Sequence, residues 1–282
     1  MTHRSASWWR DSALRPGLVI SLFLALIAAT APLLFPGDPS ALGEEGARLA
    51  PPSSSHWLGT DLLGRDVLAR LAHGSRVSLV IGWLAVTVSV VLGTGVGLLA
   101  GLGPRRLDRA LMLATDLFLA FPRIFLILLL VSVLRPSVGL IVVVLGFSGW
   151  MPVARLVRAE ALSLRERDFV AAARGLGLTG LQTARRHVLP NLLPTVVVAA
   201  TMRVGGVILA ESFLSFLGLG VQDPPVSWGV MIQQGRDHLL DGWWLAAFPG
   251  LAIALTVVGY NLLGDGLRTR LDPRRGREAR HG

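Results

Sequence analysis

Apolar runs of membrane-crossing length alternate with short basic segments along this chain. A helix needs about 20 predominantly apolar residues to cross a hydrocarbon layer of about 30 Å. Six segments qualify. No charge lies between Arg15 and Asp38, which predicts a first span over residues 17–35. The longest uncharged interval, between Arg76 and Arg105, predicts a second over 77–102. A third, 110–134, contains Asp116 and Arg123, with Pro122 between them as a kink. The fourth occupies 137–154, and the fifth, 191–217, holds Arg203 and Glu211. The sixth lies in the uncharged interval between Asp241 and Asp265. The pattern predicts an all-α polytopic membrane protein with six transmembrane helices.

The first span has a basic start and small residues at Ala29 and Ala31, as a cleaved signal peptide would. Its run continues through Leu33, Leu34 and Phe35 to anchor length, and Pro32 would follow the cut, so a retained anchor is expected. Residues 36–55, rich in Pro, Gly, Ser and Ala, read as a linker. A short amphipathic helix is expected over 61–76, with Leu63, Val67 and Leu71 on one side. The chain thus divides into an anchor, linker and amphipathic segment (1–76), a five-helix core (77–268) and a basic tail (269–282).

Two motifs need weighing. Gly95-Val-Gly97-Leu-Leu-Ala100 formally matches a dinucleotide fingerprint, with Asp116 near the expected distance downstream. It is embedded in membrane-length apolar sequence, however. Gly93, Gly97 and Gly101 recur every four residues, which predicts a close-packing helix face. The loop over 155–190 carries a second pattern. Asp168 can cap a short helix through Arg174, and Gly175 or Gly177 can end it. Thr179 and Gln182 have capping-box spacing for another short helix. Pro190 sits where the fifth span begins. The small side chains of Ala171, Ala172 and Ala173 would let another surface approach closely.

Composition then sharpens the picture. Hydrophobic residues make up 52% and charged residues 16%, far from the soluble norm of about 25% charged. The net charge is +9, and all 27 basic residues are Arg. Such an excess would ordinarily point to nucleic acid, but nineteen of these Arg fall at the N-terminus, around 105–109, in the 155–190 loop and in the tail. With those segments cytoplasmic, both termini are inside and only six Arg face outward. The excess therefore reports topology in the cell membrane, with lipid and not nucleic acid as the surrounding partner.

The missing Lys excludes a Walker A site, and the missing Cys excludes disulfides and thiolate metal sites. The six His have no metal-ligand spacing. No paired carboxylates or Ser/His/Asp set nominates a catalytic residue, so neither a metal site nor an enzymatic one is expected. Charge inside a span costs roughly 2.5–3.5 kcal/mol and so faces protein or water. Asp116, Arg123, Arg203 and Glu211 are therefore the pathway or gating candidates. Arg203 and Glu211 stand eight residues apart, about 12 Å along a helix, too far to pair tightly. Asp265 is expected to tie the inner end of the last span to basic loops.

The 155–190 loop resembles the signature of ABC-importer permease subunits. It carries Ala172 and Ala173, then Gly177, then Leu189 and Pro190 at the required gaps; Ala171 stands where Glu is usual and His187 where Ile is usual. Other stretches are similar to the second permease type of the dipeptide/oligopeptide/nickel branch. They are His56-Trp-Leu-Gly-Thr-Asp-Leu-Leu-Gly-Arg-Asp66, Arg185-Arg-His-Val-Leu-Pro-Asn191 and Glu211-Ser-Phe-Leu-Ser-Phe-Leu-Gly-Leu-Gly-Val-Gln222 leading to Ser227-Trp-Gly229. Asn261-Leu-Leu-Gly-Asp-Gly-Leu-Arg268 with Leu271-Asp-Pro273 completes the set.

The resemblance implies a type I importer permease bundle that moves peptides or a related small solute, nickel included, by alternating access. It implies a heterodimer with a homologous second permease, two cytoplasmic ATPases that use ATP and Mg, and an extracytoplasmic solute-binding protein. Ala172, Ala173, Arg174, Gly177, Leu189 and Pro190 would form the ATPase-coupling loop. The residues by themselves leave a stand-alone secondary transporter or channel open, on the strength of the intramembrane charges.

Overall fold

The structure is a computed structural model that describes residues 13–43, 45–134 and 137–271. Arg4, Arg10, Arg135, His3, His281 and residues 272–282 of the expected basic tail lie outside the described residues. The helices run in the order α1 (Leu14–Leu34), α2 (Val67–Leu102), α3 (Arg105–Ala120), α4 (Arg123–Val133), α5 (Val138–Phe147) and α6 (Trp150–Arg165). There follow α7 (Asp168–Gly175), α8 (Gly180–Thr183), α9 (Leu189–Phe216), α10 (Trp228–Gly235) and α11 (Trp244–Leu271). Among the described residues there is no β-strand, only an isolated bridge between Thr60 and Asp66.

Five helical stretches are long and apolar enough to cross a membrane, and the bent pair α3–α4 makes six. Three details depart from the expected pattern. The amphipathic segment is not a separate helix: from Val67 onward it forms the first turns of α2, whose 36 residues extend about 54 Å. The third span is broken, with α3 and α4 meeting at 80°. Phe121 adopts an extended conformation because Pro122 disfavours the helical region in the residue before it. The fourth span does not end at Ala154. The turn at Ser148 and Gly149 separates α5 from α6, which continues to Arg165 because Ala154, Val157, Ala161 and Leu164 recur at helical spacing and are buried.

Two compact units can be distinguished. One comprises the chain up to Gly82 together with that from Thr201 onward. Within it α1 packs along α11, and α10 against the start of α11. Glycines set the spacing: a Cβ at Gly259 would lie 2.6 Å from Ile20, and one at Gly235 2.7 Å from Leu245.

The other unit is Trp83–Ala200. Its core is Val153, Val157, Ala161 and Leu164 of α6, Val170 of α7, and Val188, Leu192 and Val196 on the approach to and within α9. The glycine row of α2 lies against α6, as the four-residue period predicts. A Cβ at Gly93, Gly97 or Gly101 would stand 2.6, 2.7 and 2.7 Å from Trp150, Ala154 and Ala161 respectively. Gly95, on another face, would meet nothing within 4 Å. Of the dinucleotide pattern, Gly97 thus belongs to a helix–helix contact and Gly95 does not, and Ser89 adds a hydrogen bond to the Gly146 carbonyl at 2.7 Å.

Candidate functional site

The loop after α6 folds into two short helices around a single tight turn. In α7, Val170 is buried in the core that α6 and α9 share and Ala173 is also buried, whereas Ala171 and Ala172 are exposed. The three alanines therefore divide: Ala173 anchors the helix inward and is not available to another surface, which corrects the expectation of a uniformly small outer face. Arg174 lies at the penultimate position of α7. Gly177 takes φ +83°, a left-handed conformation that glycine adopts without a Cβ penalty. A side chain there would meet nothing within 4 Å, so backbone conformation and not crowding dictates glycine.

Thr179 closes the turn with a full capping box. Its hydroxyl accepts from the Gln182 amide at 3.3 Å, and the Gln182 side chain accepts from the Thr179 amide at 2.9 Å. Five residues, Ala184–Val188, then widen into a π-turn before α9. Pro190 cannot donate to the helical ladder, and Asn191 donates its side-chain amide to the His187 carbonyl at 2.7 Å. Leu189 is half-buried and Pro190 exposed. On this base Leu176 and Leu181 stand 82% and 80% exposed, beside exposed Phe169, Arg185 and Arg186. Large apolar side chains so exposed around a rigid turn are what a protein contact uses.

The intramembrane charges are placed separately. Asp116 pairs with Arg155 of α6 at 2.5 Å, with both side chains about half exposed. Nearby, Arg158 grips Asp108 with two bonds of 2.5 and 2.7 Å. Arg123 begins α4 and donates to the Ser148 hydroxyl at 3.3 Å. Arg203 lies half-buried in α9.

Glu211 is fully buried in the same helix. It accepts hydrogen bonds from Ser215 at 2.8 Å, Ser227 at 2.9 Å and Ser212 at 3.4 Å. Ser227 also caps α10 by accepting from the Val230 amide. Beside it, the Trp228 amide donates to Ser78 at 3.1 Å and its indole to the Leu71 carbonyl at 3.0 Å. Glu211 thus locks the α9–α10 connection in place. Asp265, expected to tie a helix end to basic loops, is exposed and makes no ion pair among the described residues.

One cluster escaped the sequence reading. Asp61 accepts from its own turn, from the amides of Leu63 and Arg65, because Gly64 takes φ +74°. It also accepts from the Arg65 side chain at 2.6 Å and from Arg70. Both arginines reach on to Asp223, at 3.2 and 3.3 Å. Burial opposes ionisation of Asp223. The hydrogen bond from Gln234, the charge of Arg70, the hydrogen bond from Ser40 and the charge of Arg65 outweigh it and hold this carboxyl below the usual carboxylate range. The sequence treats Arg65 and Arg70 only as outward-facing charge. The hint available was the density of charge in the family-like stretch ending at Asp66.

A broken span, a capped two-helix loop and an internally bonded, buried Glu211 belong to one class of architecture: a polytopic, all-helical membrane protein. The comparisons agree. Residues 93–277 match the family described as binding-protein-dependent transport system inner membrane component. A protein of Brucella abortus named for a peptide transport system is 42% identical over 266 residues, covering 94% of this chain and 89% of that protein. The dipeptide transport system permease protein DppC of Bacillus subtilis is 39% identical, covering 92% and 81%. In three dimensions, an inward-facing structure of the MetNI methionine ABC transporter matches with a TM-score of 0.58 at 20% identity, over 72% of this chain and 96% of that one. The chain belongs to the inner membrane components of binding-protein-dependent transport systems. It has the type I ABC importer permease fold and is a permease subunit of such an importer.

Proposed function

We propose that the chain forms one half of a pathway that carries peptides inward, paired with a homologous second permease. Two ATPases sit beneath, using ATP and Mg, and an extracytoplasmic solute-binding protein delivers cargo. The similarity to relatives named for peptide and dipeptide transport supports the cargo class. Both termini and the α7–α8 loop face the cytoplasm, as the distribution of Arg supports.

The observation that carries this reading is the α7–α8 turn. Its base is packed into the protein's own core through Val170 and Val188, with Ala173 also buried, while Leu176 and Leu181 stand exposed. A docking element must satisfy both conditions, since a force applied at the exposed edge has to be transmitted to the spans by the buried one. In this reading Ala172, Ala173, Arg174, Gly177, Leu189 and Pro190 make up the coupling loop, Ala173 on its buried side. Closure of the ATPases would shift the turn and, with it, the balance between inward- and outward-facing states. Solute shifts that balance only through its different affinities for the two states. Asp116, Arg123 and Arg203 remain pathway candidates, and Glu211 is a positioning residue.

The chain has no Cys, so a single one reports cleanly. Leu181→Cys should crosslink to an ATPase subunit and react with impermeant maleimide only from inside. Leu240→Cys, in a fully exposed position before α11, should react only from outside. Labelling of the two positions from the opposite sides would overturn the topology, and absence of the ATPase crosslink would overturn the coupling role.

A further inference from the structure

The break in the third span carries a positive charge that no described residue matches. Where α3 stops and α4 starts, the last carbonyls of one and the first amides of the other lose their helical partners, and α4 has no side-chain cap. Such irregular backbone is tolerated at membrane depth only against protein or a water-filled cavity, not against lipid. Yet Phe121, Pro122 and Arg123 are all exposed. Solute, water or another subunit must therefore cover the break, because the described residues do not.

Arg123 specifies the chemistry of what arrives there. Its Nε donates to the Ser148 hydroxyl, which itself donates to the Leu145 carbonyl at 3.1 Å. The guanidinium is thereby held against the turn between α5 and α6. Its two terminal nitrogens, a pair that can grip a carboxylate side by side, make no bond among the described residues. No carboxylate of the chain is at hand. The two acidic residues of α3 are already engaged, Asp108 by Arg158 and Asp116 by Arg155, and the first turn of α4 holds none. The start of a helix is also its positive end, which adds to the excess. We infer that Arg123 receives a carboxylate of the transported solute, which for a peptide is the C-terminal one. That group is present whatever the side chains, so one fixed cation serves a varied cargo. The inference rests on the peptide-import reading and on the place of Arg123 along the pathway.

The test uses the complex of both permeases and both ATPases in detergent, without the binding protein, so that the binding protein's own selectivity does not enter. The probes are leucyl-leucine and leucyl-leucinamide, which differ only at the C-terminal group, and the readout is calorimetry. The acid should bind more than about tenfold more tightly than the amide, the factor that one charge-assisted hydrogen bond supplies. Arg123→Gln should abolish that preference by weakening the acid alone, and Arg123→Lys, which keeps the charge, should retain part of it. A merely structural side chain would weaken both probes alike. Because the chain has no Cys, Arg123→Cys gives a second readout. A water-soluble cationic methanethiosulfonate should modify this chain and restore the preference for the acid, whereas an anionic one should modify it without restoring it. Equal affinity of the unaltered complex for acid and amide, or a preference that survives Arg123→Gln, would overturn the inference. So would loss of the second permease from the Arg123→Gln complex but not from the Arg123→Lys one, since the anion would then be a carboxylate of that subunit. A cysteine at this position that neither reagent reaches would overturn it as well. Uptake of leucyl-leucine into proteoliposomes separates the two readings. Uptake by a complex with no preference for the acid removes this site alone, whereas an Arg123-dependent preference without peptide uptake removes the cargo assignment alone.

Discussion

One methyl group at Gly97 should destabilise the permease, and one at Gly95 should not. In the α2–α6 contact a Cβ at Gly97 would stand 2.7 Å from the Ala154 carbonyl oxygen and from Val157 Cβ. Both neighbours are close to rigid: one is backbone, and the other is a β-branched residue with no exposure. The helices must therefore separate, and overpacking of this kind costs about 1–3 kcal/mol. Replacing a helical glycine by alanine returns about 0.5–1 kcal/mol, so the net loss for Gly97→Ala should be up to about 2.5 kcal/mol. Gly95→Ala meets nothing within 4 Å and should gain that same 0.5–1 kcal/mol, in the approximate sense of those values. The assay is the thermal midpoint of the purified complex, where each kcal/mol moves a chain of this size by about 2–4 °C. A lower midpoint for Gly97→Ala and an unchanged or higher one for Gly95→Ala are expected. Equal responses would refute the packing argument and reopen a shared role for the two glycines.

Three further outcomes follow from the same geometry. Asp223 has a folded pKa below its unfolded value of about 3.9, so the unfolded chain takes up protons first as pH falls. Its stabilisation is present above that value and is lost as pH drops through the lowered one; midpoints recorded against pH should fall less steeply for Asp223→Asn. Thr179→Ala removes the capping box at a cost of about 0.5–2 kcal/mol. Faster amide exchange confined to the α7–α8 loop, with weaker stimulation of ATP hydrolysis by solute, should be seen, and unchanged exchange would remove the box from the account. Glu211→Gln keeps an acceptor oxygen for Ser215 and Ser227, whereas Glu211→Leu strands both hydroxyls at about 1–3 kcal/mol each; Ser212 keeps its bond to the Ile208 carbonyl at 2.9 Å. The leucine variant should lower the thermal midpoint much more than the glutamine one, and similar midpoints would show that the serines do not depend on this side chain.

What could be read in advance was what depends on neighbours in sequence. The spans follow from the absence of charge over bilayer-length runs, because backbone groups in hydrocarbon must be satisfied within the helix. The Thr179–Gln182 box and the turn at Gly177 depend on residues three or fewer apart, and the Gly93–Gly97–Gly101 face on helical periodicity alone. The angle at Phe121–Pro122 was not legible, since proline announces a break without fixing how far the chain turns. Nor was the fusion of the amphipathic segment into α2, because continuity of a helix through Arg70 and Arg76 requires that Arg70 be paired. One of its partners, Asp61, is nine residues away, but the other, Asp223, is 153 residues away. The serines around Glu211 split on the same ground: Ser212 and Ser215 were its helix neighbours, but Ser227 arrives from sixteen residues on. Within α7, period alone did not tell Ala173 from Ala172, because which alanine faces inward depends on where α6 and α9 lie.

The most direct test of the central claim is uptake into proteoliposomes that contain the complete complex and binding protein. The readout is accumulation of a labelled dipeptide, with ATP supplied on the α7–α8 side and the proton gradient collapsed by an uncoupler. Accumulation that requires ATP and persists without the gradient is the result this account predicts. Accumulation that follows the gradient and ignores ATP would contradict it, and would make the chain a transporter in its own right.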